Sequence, residues 1–498
     1  MKNQTSLRRA LRRQRLRRSS GRFWGTFFAL FCAAVVLRSP ARALANGAFP
    51  DSLSILLPAD RPNQIVLATN FGLIVSVDGG QTWTWSCEQT ATMGGRLYQA
   101  GPPPLDRLFG ISTAGLVFSD DGACSWRVGG APGAGANAGV SDAFPDPTNP
   151  NRVLAIFAPA AAGAPYTVYE SADGGATFGT LRFTGAPGDV LTGVEIARSD
   201  PRIAYLTVAS GDSFSPKLMR TSNGGGDWQA TDLAPALGAH NVRLIAIDPG
   251  DPNKVFLRVT PTTGDSLAVT DDAGARFVTP VSAPGGILTS FVRLPSGTLL
   301  LAGVVGTDNV IFRSADGGMT FSQAPAPALR ALATRGGRLF GSADNFDDNP
   351  ALAFALGEST DEGRSWTPVM TYDQVQAISA CLKAACQTDC AAQADRGLWD
   401  GTMCDADPMP KPVDGGAADA PADARAGNDG AAGQPGDAPV ETGAGGGGGG
   451  GAGCRCGVAG PGSPGAPAGA ALLALAAALR RASRRSRGRS RSTGPARR

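Results

Sequence analysis

Histidine is almost missing from this chain: His240 is the only one in 498 residues. That excludes a histidine-cluster metal site and makes any Ser-His-Asp arrangement depend on one side chain. Tyrosine is nearly as scarce, at five (98, 166, 169, 205 and 372), several of them inside apolar strands where they serve packing. Acid is missing from both ends. Residues 1–45 carry 11 basic residues and no Asp or Glu, and residues 480–498 carry nine arginines and no acid. Taking those twenty cations from the 45 Lys and Arg leaves 25 basic against 42 acidic residues, so the formal charge of +3 and the pI near 8.4 mislead. A nucleic-acid reading therefore fails. Both basic runs lie beside apolar runs, which points to membrane topology instead.

The ends read as addresses. An arginine-rich stretch to Arg22, an apolar stretch Phe23–Leu37 and the small-x-small triplet Ala43-Leu44-Ala45 give a secretory signal over 1–45, cleaved after Ala45. At the other end, Cys454-Arg455-Cys456 follows a run of seven glycines, and the apolar Ala466–Leu479 leads into the arginine tail Arg480–Arg498. That apolar run is short for a membrane span, yet positive charge of the cytoplasmic kind follows it at once.

What the chain has in abundance is one turn. Ser76-Val77-Asp78-Gly79-Gly80-Gln81-Thr82-Trp83 follows the pattern Ser/Thr-x-Asp-x-Gly-x-x-aromatic, which recurs from Ser119, Ser171, Thr270, Ser314 and Ser359. A further copy from Thr221 has Asn223 in place of the Asp. The paired residues are Asp78 and Trp83, Asp121 and Trp126, Asp173 and Phe178, Asn223 and Trp228, Asp272 and Phe277, Asp316 and Phe321, and Asp361 and Trp366. Seven copies spaced 43 to 52 residues apart mark a repeat architecture. In each, the carboxylate can accept backbone N–H bonds, the glycines supply positive φ, and the aromatic opens the next strand. Short apolar strands and Asp-Pro turns, such as Asp248–Lys254 between Val242–Ile247 and Val255–Val259, fill the rest of each repeat. About four strands per repeat, seven times, predicts an all-β seven-bladed propeller over 46–372.

The turn resembles the Asp box of bacterial neuraminidase (BNR) repeats, found also in sortilin-like and xyloglucanase-like propellers, and the resemblance covers roughly 50–370. The ordered Cys motif, weak apolar helix and Arg cluster over 454–498 resemble the C-terminal sorting signal of myxobacterial surface proteins. That resemblance implies removal of the tail and anchoring near Cys454 and Cys456, hence membrane association at the cell surface.

Residues 373–404 depart from the repeat. They hold Cys381, Cys386, Cys390 and Cys404 and read as a small helical segment stapled by two disulfides of undetermined pairing. Cys87 and Cys124 are expected to link the first two blades. Residues 405–453 read as a disordered Gly/Ala/Pro/Asp linker. If the repeated turns join strands three and four, they share a face with the Asp-Pro turns. The opposite face then carries the longer loops, where binding usually resides. On it stand Asp212, Phe214, His240, Phe346, Asp347 and Asp348, the ligand-binding candidates.

Catalysis finds less support. A sialidase needs an arginine triad and a tyrosine nucleophile, and the nearest match to its Phe-Arg-Ile-Pro motif, Pro201-Arg202-Ile203, falls in the wrong repeat. A glycosidase could draw on Asp212, Asp347 and Asp348, although nothing fixes their spacing. Asp347 and Asp348 with Asn345 and Asn349 could hold Ca2+ through oxygen ligands, a plain acidic surface loop being the weightier reading. No other cofactor and no catalytic residue is assigned. The expectation is an exported, surface-anchored, monomeric binding or adhesion module for an extracellular protein or glycan, with a secreted glycoside hydrolase as the alternative.

Overall fold

The computed structural model describes residues 52–407, except 89–96, 106, 132–138, 160, 162 and 212–214. The expected signal with Ala45, the linker beyond 407 and the C-terminal signal with Cys454 and Cys456 lie outside the described residues, as do Asp212 and Phe214. Seven antiparallel four-stranded sheets follow one another along the chain, over 52–87, 97–128, 140–184, 190–232, 241–282, 287–325 and 331–370. Each is built from four strands consecutive in sequence. The chain is a seven-bladed β-propeller followed by one short cysteine-bearing helix, Lys383–Ala394.

The strands show why. Second strands such as Val153–Phe157 and third strands such as Gly115–Ser119 are buried along their whole length, while fourth strands such as Ser322–Pro325 are exposed throughout. An inner strand has a neighbouring blade against each face, so its sequence runs apolar without alternation. The outermost strand faces water. First strands pack on one another at five of the junctions, that of blade 7 on that of blade 1 included, and blade 3 meets the second and third strands of blade 2, so the ring closes.

Each junction between blades holds its own apolar cluster, and each cluster takes one aromatic from a repeated turn. Trp126 enters between blades 1 and 2, Phe178 between 2 and 3, Trp228 between 3 and 4, and Phe277 between 4 and 5. Phe321, Trp366 and Trp83 do the same at the remaining three junctions, the last joining blade 7 to blade 1. In every case the aromatic belongs to the later blade. One blade cannot bury this ring alone; two adjacent blades can.

Within the turn the bonds repeat almost atom for atom. The Ser76 hydroxyl donates to Asp78 Oδ1 (2.8 Å) and accepts from the Gly80 N–H (2.8 Å). Asp78 Oδ1 also accepts from the Thr82 N–H (3.0 Å), and Oδ2 accepts from the Thr82 hydroxyl (2.6 Å). Although partial burial pushes the Asp78, Asp121 and Asp173 carboxyls up, the bonds they accept outweigh it and hold them below the usual range. In blade 5 the Arg276 side chain replaces the hydroxyl and draws Asp272 down to about 2. The copy with Asn223 is compensated rather than broken. Asn223 Oδ1 still accepts from the Thr221 hydroxyl and the Asp227 N–H, and its amide donates to Asp227 Oδ2 at 2.9 Å, where other copies have a hydroxyl.

Two successive residues of every turn take positive φ, which is why the motif is glycine-rich. Among the described residues, the three non-glycines with positive φ all stand here: Ala123 (80°), Ala273 (61°) and Glu362 (59°). Ala123 holds the position at which the other six copies carry glycine, a departure from the pattern absorbed by the surrounding bonds.

The turn also ties its own blade together. The Gly79 N–H donates to the Asn63 carbonyl, Gly174 to Asn151, Gly224 to Arg202 and Ala273 to Asn253. Each acceptor lies in the turn between strands one and two, so both turns share a face, as the sequence predicts. Basic side chains then stitch neighbours together on that face. Arg107 donates to the Gly174 carbonyl of blade 3, Arg152 to Pro201 of blade 4, and Arg335 of blade 7 to Gln64 of blade 1 (2.6 Å).

The C-terminal segment corrects one expectation. Cys87 and Cys124 do not bond to each other: Cys87 pairs with Cys386 and Cys124 with Cys381, leaving Cys390–Cys404 as the single bridge internal to the segment. The reason is the path of the chain after blade 7. It turns back over the seam, and Ala377-Ile378 joins blade 1 as a fifth strand, parallel to Thr84-Trp85. That strand carries the following cysteines to blades 1 and 2. Tyr372, Ile378, Leu382, Trp399 and Met403 bury against Phe71 and Trp85, with the Phe71 and Tyr372 rings edge to face at 5.1 Å.

Replacing Cys87 and Cys386 together by serine should lower stability by about 2–5 kcal/mol, the usual cost of losing a native disulfide. Thermal unfolding should show a lowered midpoint. An unchanged midpoint would mean that the apolar packing of the segment suffices without the bridge.

Candidate functional site

The propeller axis is not filled. First strands leave a cavity of about 440 Å3, which turn residues Pro62, Pro102, Pro147, Pro249 and Gly336 rim from blades 1, 2, 3, 5 and 7. Those residues belong to the turns between strands one and two. The cavity therefore lies toward the face of the repeated turns, away from the loops on which sequence reasoning placed the ligand.

Its wall is mainly aliphatic, with Ile55, Ile111, Leu244, Ile245 and Leu332 among the lining side chains. Six charged or ionisable groups interrupt it: Asp142, Glu195, Arg198, Arg243, Arg258 and Arg335. Three of these come from the first strands of consecutive blades. Asp142 stands on Val140–Pro145, Glu195 on Val190–Ile196 and Arg243 on Asn241–Ile247.

Asp142 Oδ2 accepts from the Val194 N–H of the next blade at 2.9 Å. Glu195 stands one blade on, with the Ile247 N–H favouring its ionised form. The charge of Asp142 reaches Glu195, and the two carboxyls divide the charge unequally. Burial pushes Asp142 up, but Arg243 and the N–H groups of Val194 and Ala143 favour its ionised form. Burial pushes Glu195 well up, the charge of Asp142 pushes it further, and a single N–H opposes both. Glu195 is therefore the member that keeps its proton.

Two buried polar atoms of this wall find no partner among the described residues: Glu195 Oε2 and Arg258 Nε. Glu195 is 6% exposed. Arg258 is otherwise satisfied, its Nη2 lying 2.7 Å from Asp265 Oδ2, which also accepts from the Leu288 N–H. Unpaired buried groups are costly, and they recur in native proteins where a ligand or water is meant to complete them.

The residues picked from the sequence lie elsewhere. His240 follows the short helix Ala234–Leu237 in the connection from blade 4 to blade 5, and its N–H donates to the Gly238 carbonyl. Phe346, Asp347 and Asp348 sit in the loop between the second and third strands of blade 7, so the ring does not bring them beside His240. Part of that loop has a structural task. Asn345 Oδ1 accepts from the Tyr372 N–H at 2.9 Å and the Phe346 ring lies 5.9 Å from the Tyr372 ring, seating the start of the C-terminal segment. Asp347 Oδ1 accepts from the Asn349 N–H within the loop. Sequence reasoning missed Asp142, Glu195 and Arg243. One signal could have found them: a lone charged residue inside an otherwise apolar first strand, in three successive repeats.

No protein-family model matches this chain, and no curated protein matches its sequence. Among solved structures it is similar to the GH74 enzyme of Niastella koreensis at 15% identity and TM-score 0.37, over 64% of this chain and 66% of that one. It is similar to YCF48 of Cyanidioschyzon merolae at 13% identity and TM-score 0.41, over 59% of this chain and 92% of that one. A puromycin hydrolase is similar at 12% identity and TM-score 0.46, over 67% of this chain and 55% of that one. The chain thus spans just under two thirds of the GH74 enzyme and about half of the hydrolase. At these identities the likeness concerns the fold.

Glu195 makes stability depend on pH with a defined sign. Its native value lies above its unfolded one, so between the two the native state holds the extra proton. Stability should therefore fall as pH rises from the ordinary glutamate range, about 4.3, until the native value is passed. Glu195→Gln should be flatter over that range, because glutamine mimics the protonated form. Asp142 titrates in both proteins and largely drops out of the difference. Unfolding measured across pH in both proteins checks this; parallel curves would place the proton elsewhere.

Proposed function

We propose that this chain is an Asp-box propeller of the BNR or sortilin-like kind, exported and held at the cell surface through its C-terminal signal, that binds an extracellular protein or glycan as a monomer. The observation that carries the binding reading is the axial cavity, preformed and lined largely by apolar side chains. A rigid ring presenting a preformed cavity needs little reordering when a ligand enters.

The location has its own support. All six described cysteines are in disulfides, the chemistry of an oxidising compartment. No helix among the described residues is long and apolar enough to cross a membrane, so anchoring is assigned to Cys454 and Cys456 and the segment after them.

One observation favours a second reading, a hydrolase. A carboxyl pair in which one member keeps its proton is the split that glycoside hydrolysis uses for its acid and its base or nucleophile. Against it, Asp142 accepts from the Val194 N–H and feels the charge of Arg243, an arrangement suited to holding a group still.

Immobilised full-length protein challenged with a panel of glycans and extracellular peptides tests both. The binding reading expects saturable retention without cleavage, abolished by Leu244→Trp, which fills the cavity. Turnover of a glycan that Glu195→Gln removes would replace it with the hydrolase reading. Retention untouched by Leu244→Trp would move the ligand off the axis.

A further inference from the structure

The three disulfides do not share one environment. Cys87 is 2% exposed, Cys386 and Cys390 0% and Cys404 4%, and all four belong to the apolar cluster that joins blade 7, blade 1 and the C-terminal segment. The Cys87 N–H donates to Cys386 Sγ at 3.2 Å, and Cys390 Sγ lies 3.5 Å from Met403 Sδ. The third bridge is placed differently. Cys381 is exposed and Cys124 half-buried, and neither enters any of the seven apolar clusters. Ser125 beside Cys124, and Ala380, Ala384 and Ala385 around Cys381, are exposed as well. Exchange requires a thiolate to reach a sulfur, so access ranks the bridges and puts Cys124–Cys381 first.

What each bridge holds also differs. Beside Cys87–Cys386 the segment has other ties to blade 1: the parallel strand Ala377-Ile378, and the Ser379 hydroxyl 3.2 Å from that of Thr84 and 2.9 Å from that of Ser86. Cys390–Cys404 joins the segment to itself. Cys124–Cys381 carries the segment to blade 2, and it enters there through the repeated turn Ser119–Trp126. That turn is the one in which Ala123 stands at a glycine position, with a φ of 80°. An L side chain resists that conformation, and the bridge at the very next residue helps to fix the turn that contains it.

We propose that Cys381 is a thiol-exchange site, which a small thiol of the size of cysteine or glutathione modifies as a mixed disulfide while the ring stays folded. The incoming thiolate bonds to Cys381 Sγ and the Cys124–Cys381 bond breaks. Its electron pair leaves on Cys124 as a thiolate, which takes a proton from solvent. A second thiolate then attacks the small-thiol sulfur of the mixed disulfide. It leaves as the disulfide of the small thiol, and Cys381 is left as a thiol; two electrons have passed from two small thiols to the bridge. The first step alone releases the blade 2 turn, while the segment stays on blade 1 through Cys87–Cys386 and the parallel strand. The site is independent of the axial cavity and of what enters it.

The test treats full-length, oxidised protein with graded reduced glutathione, blocks free thiols with N-ethylmaleimide and maps the peptides by mass spectrometry. Glutathione should appear on Cys381, and maleimide on Cys124, at least about tenfold sooner than either label on the other two bridges, which wait on local opening of the core. Amide hydrogen exchange in the modified protein should quicken over residues 119–126 and stay unchanged over 84–87. Replacing Cys124 and Cys381 together by serine should quicken exchange over 119–126 in the same way and remove the early glutathione uptake. First reaction at Cys87–Cys386 or Cys390–Cys404, or all three bridges opening together, would overturn the proposal. Glutathione on Cys124 with Cys381 as the free thiol would overturn it too, by reversing the attacked sulfur. Exchange quickened across all seven blades would show that modification follows unfolding, and uptake with exchange over 119–126 unchanged would refute the release of the turn.

Discussion

A serine or threonine hydroxyl, donating to an aspartate two residues on and accepting from an N–H four residues on, is the smallest part of this protein and the one it can least do without. It closes a turn in which two consecutive residues have positive φ, a conformation that L side chains resist. The closed turn points an aromatic into the junction with the preceding blade and presents an N–H to the neighbouring turn of its own blade. The bonds of a few atoms thereby set both the register within each blade and the packing between blades. Because the arrangement is local, it survives exchange of its parts: Asn223 with Asp227, or Arg276 for a hydroxyl, rebuilds the same connections with donors and acceptors reassigned.

That locality explains what could be read in the sequence. Strand count, blade count and the shared face of the two kinds of turn depend on residues within a few positions of one another, and all were legible; that each aromatic fills the junction between two blades was not. What depends on closing a circle was not. Asp142, Glu195 and Arg243 are about fifty residues apart along the chain, and only ring geometry makes them neighbours. Each is a lone charged residue in a mainly apolar strand, and nothing local pairs it with the other two. The long loops drew attention because loops commonly carry function. At least one of them, that of Asn345 and Phe346, is instead a seat for the chain end.

The disulfides illustrate the same limit. Cys87 and Cys124 belong to adjacent blades, and a bond between them was the economical reading. It failed because the partner segment is remote in sequence, 299 residues on from Cys87 and 257 from Cys124. A propeller whose blades are each complete in sequence has no strand shared across its seam. Here a parallel strand and two covalent bonds from the C-terminal segment supply the join, together with the Trp83 cluster and the Arg335 bonds to blade 1.

The same segment decides where tension would enter the ring. A pull on the backbone at Asp407 meets the Cys390–Cys404 bridge and the helix Lys383–Ala394. It then passes through Cys386 and Cys381 into blades 1 and 2. Blade 7, from which the backbone departs, is bypassed. Force that would otherwise peel the last blade away, strand by strand, is delivered across covalent bonds to the opposite lip of the opening. The ring hangs from its own fastening, and the lip at blade 7 is spared the load.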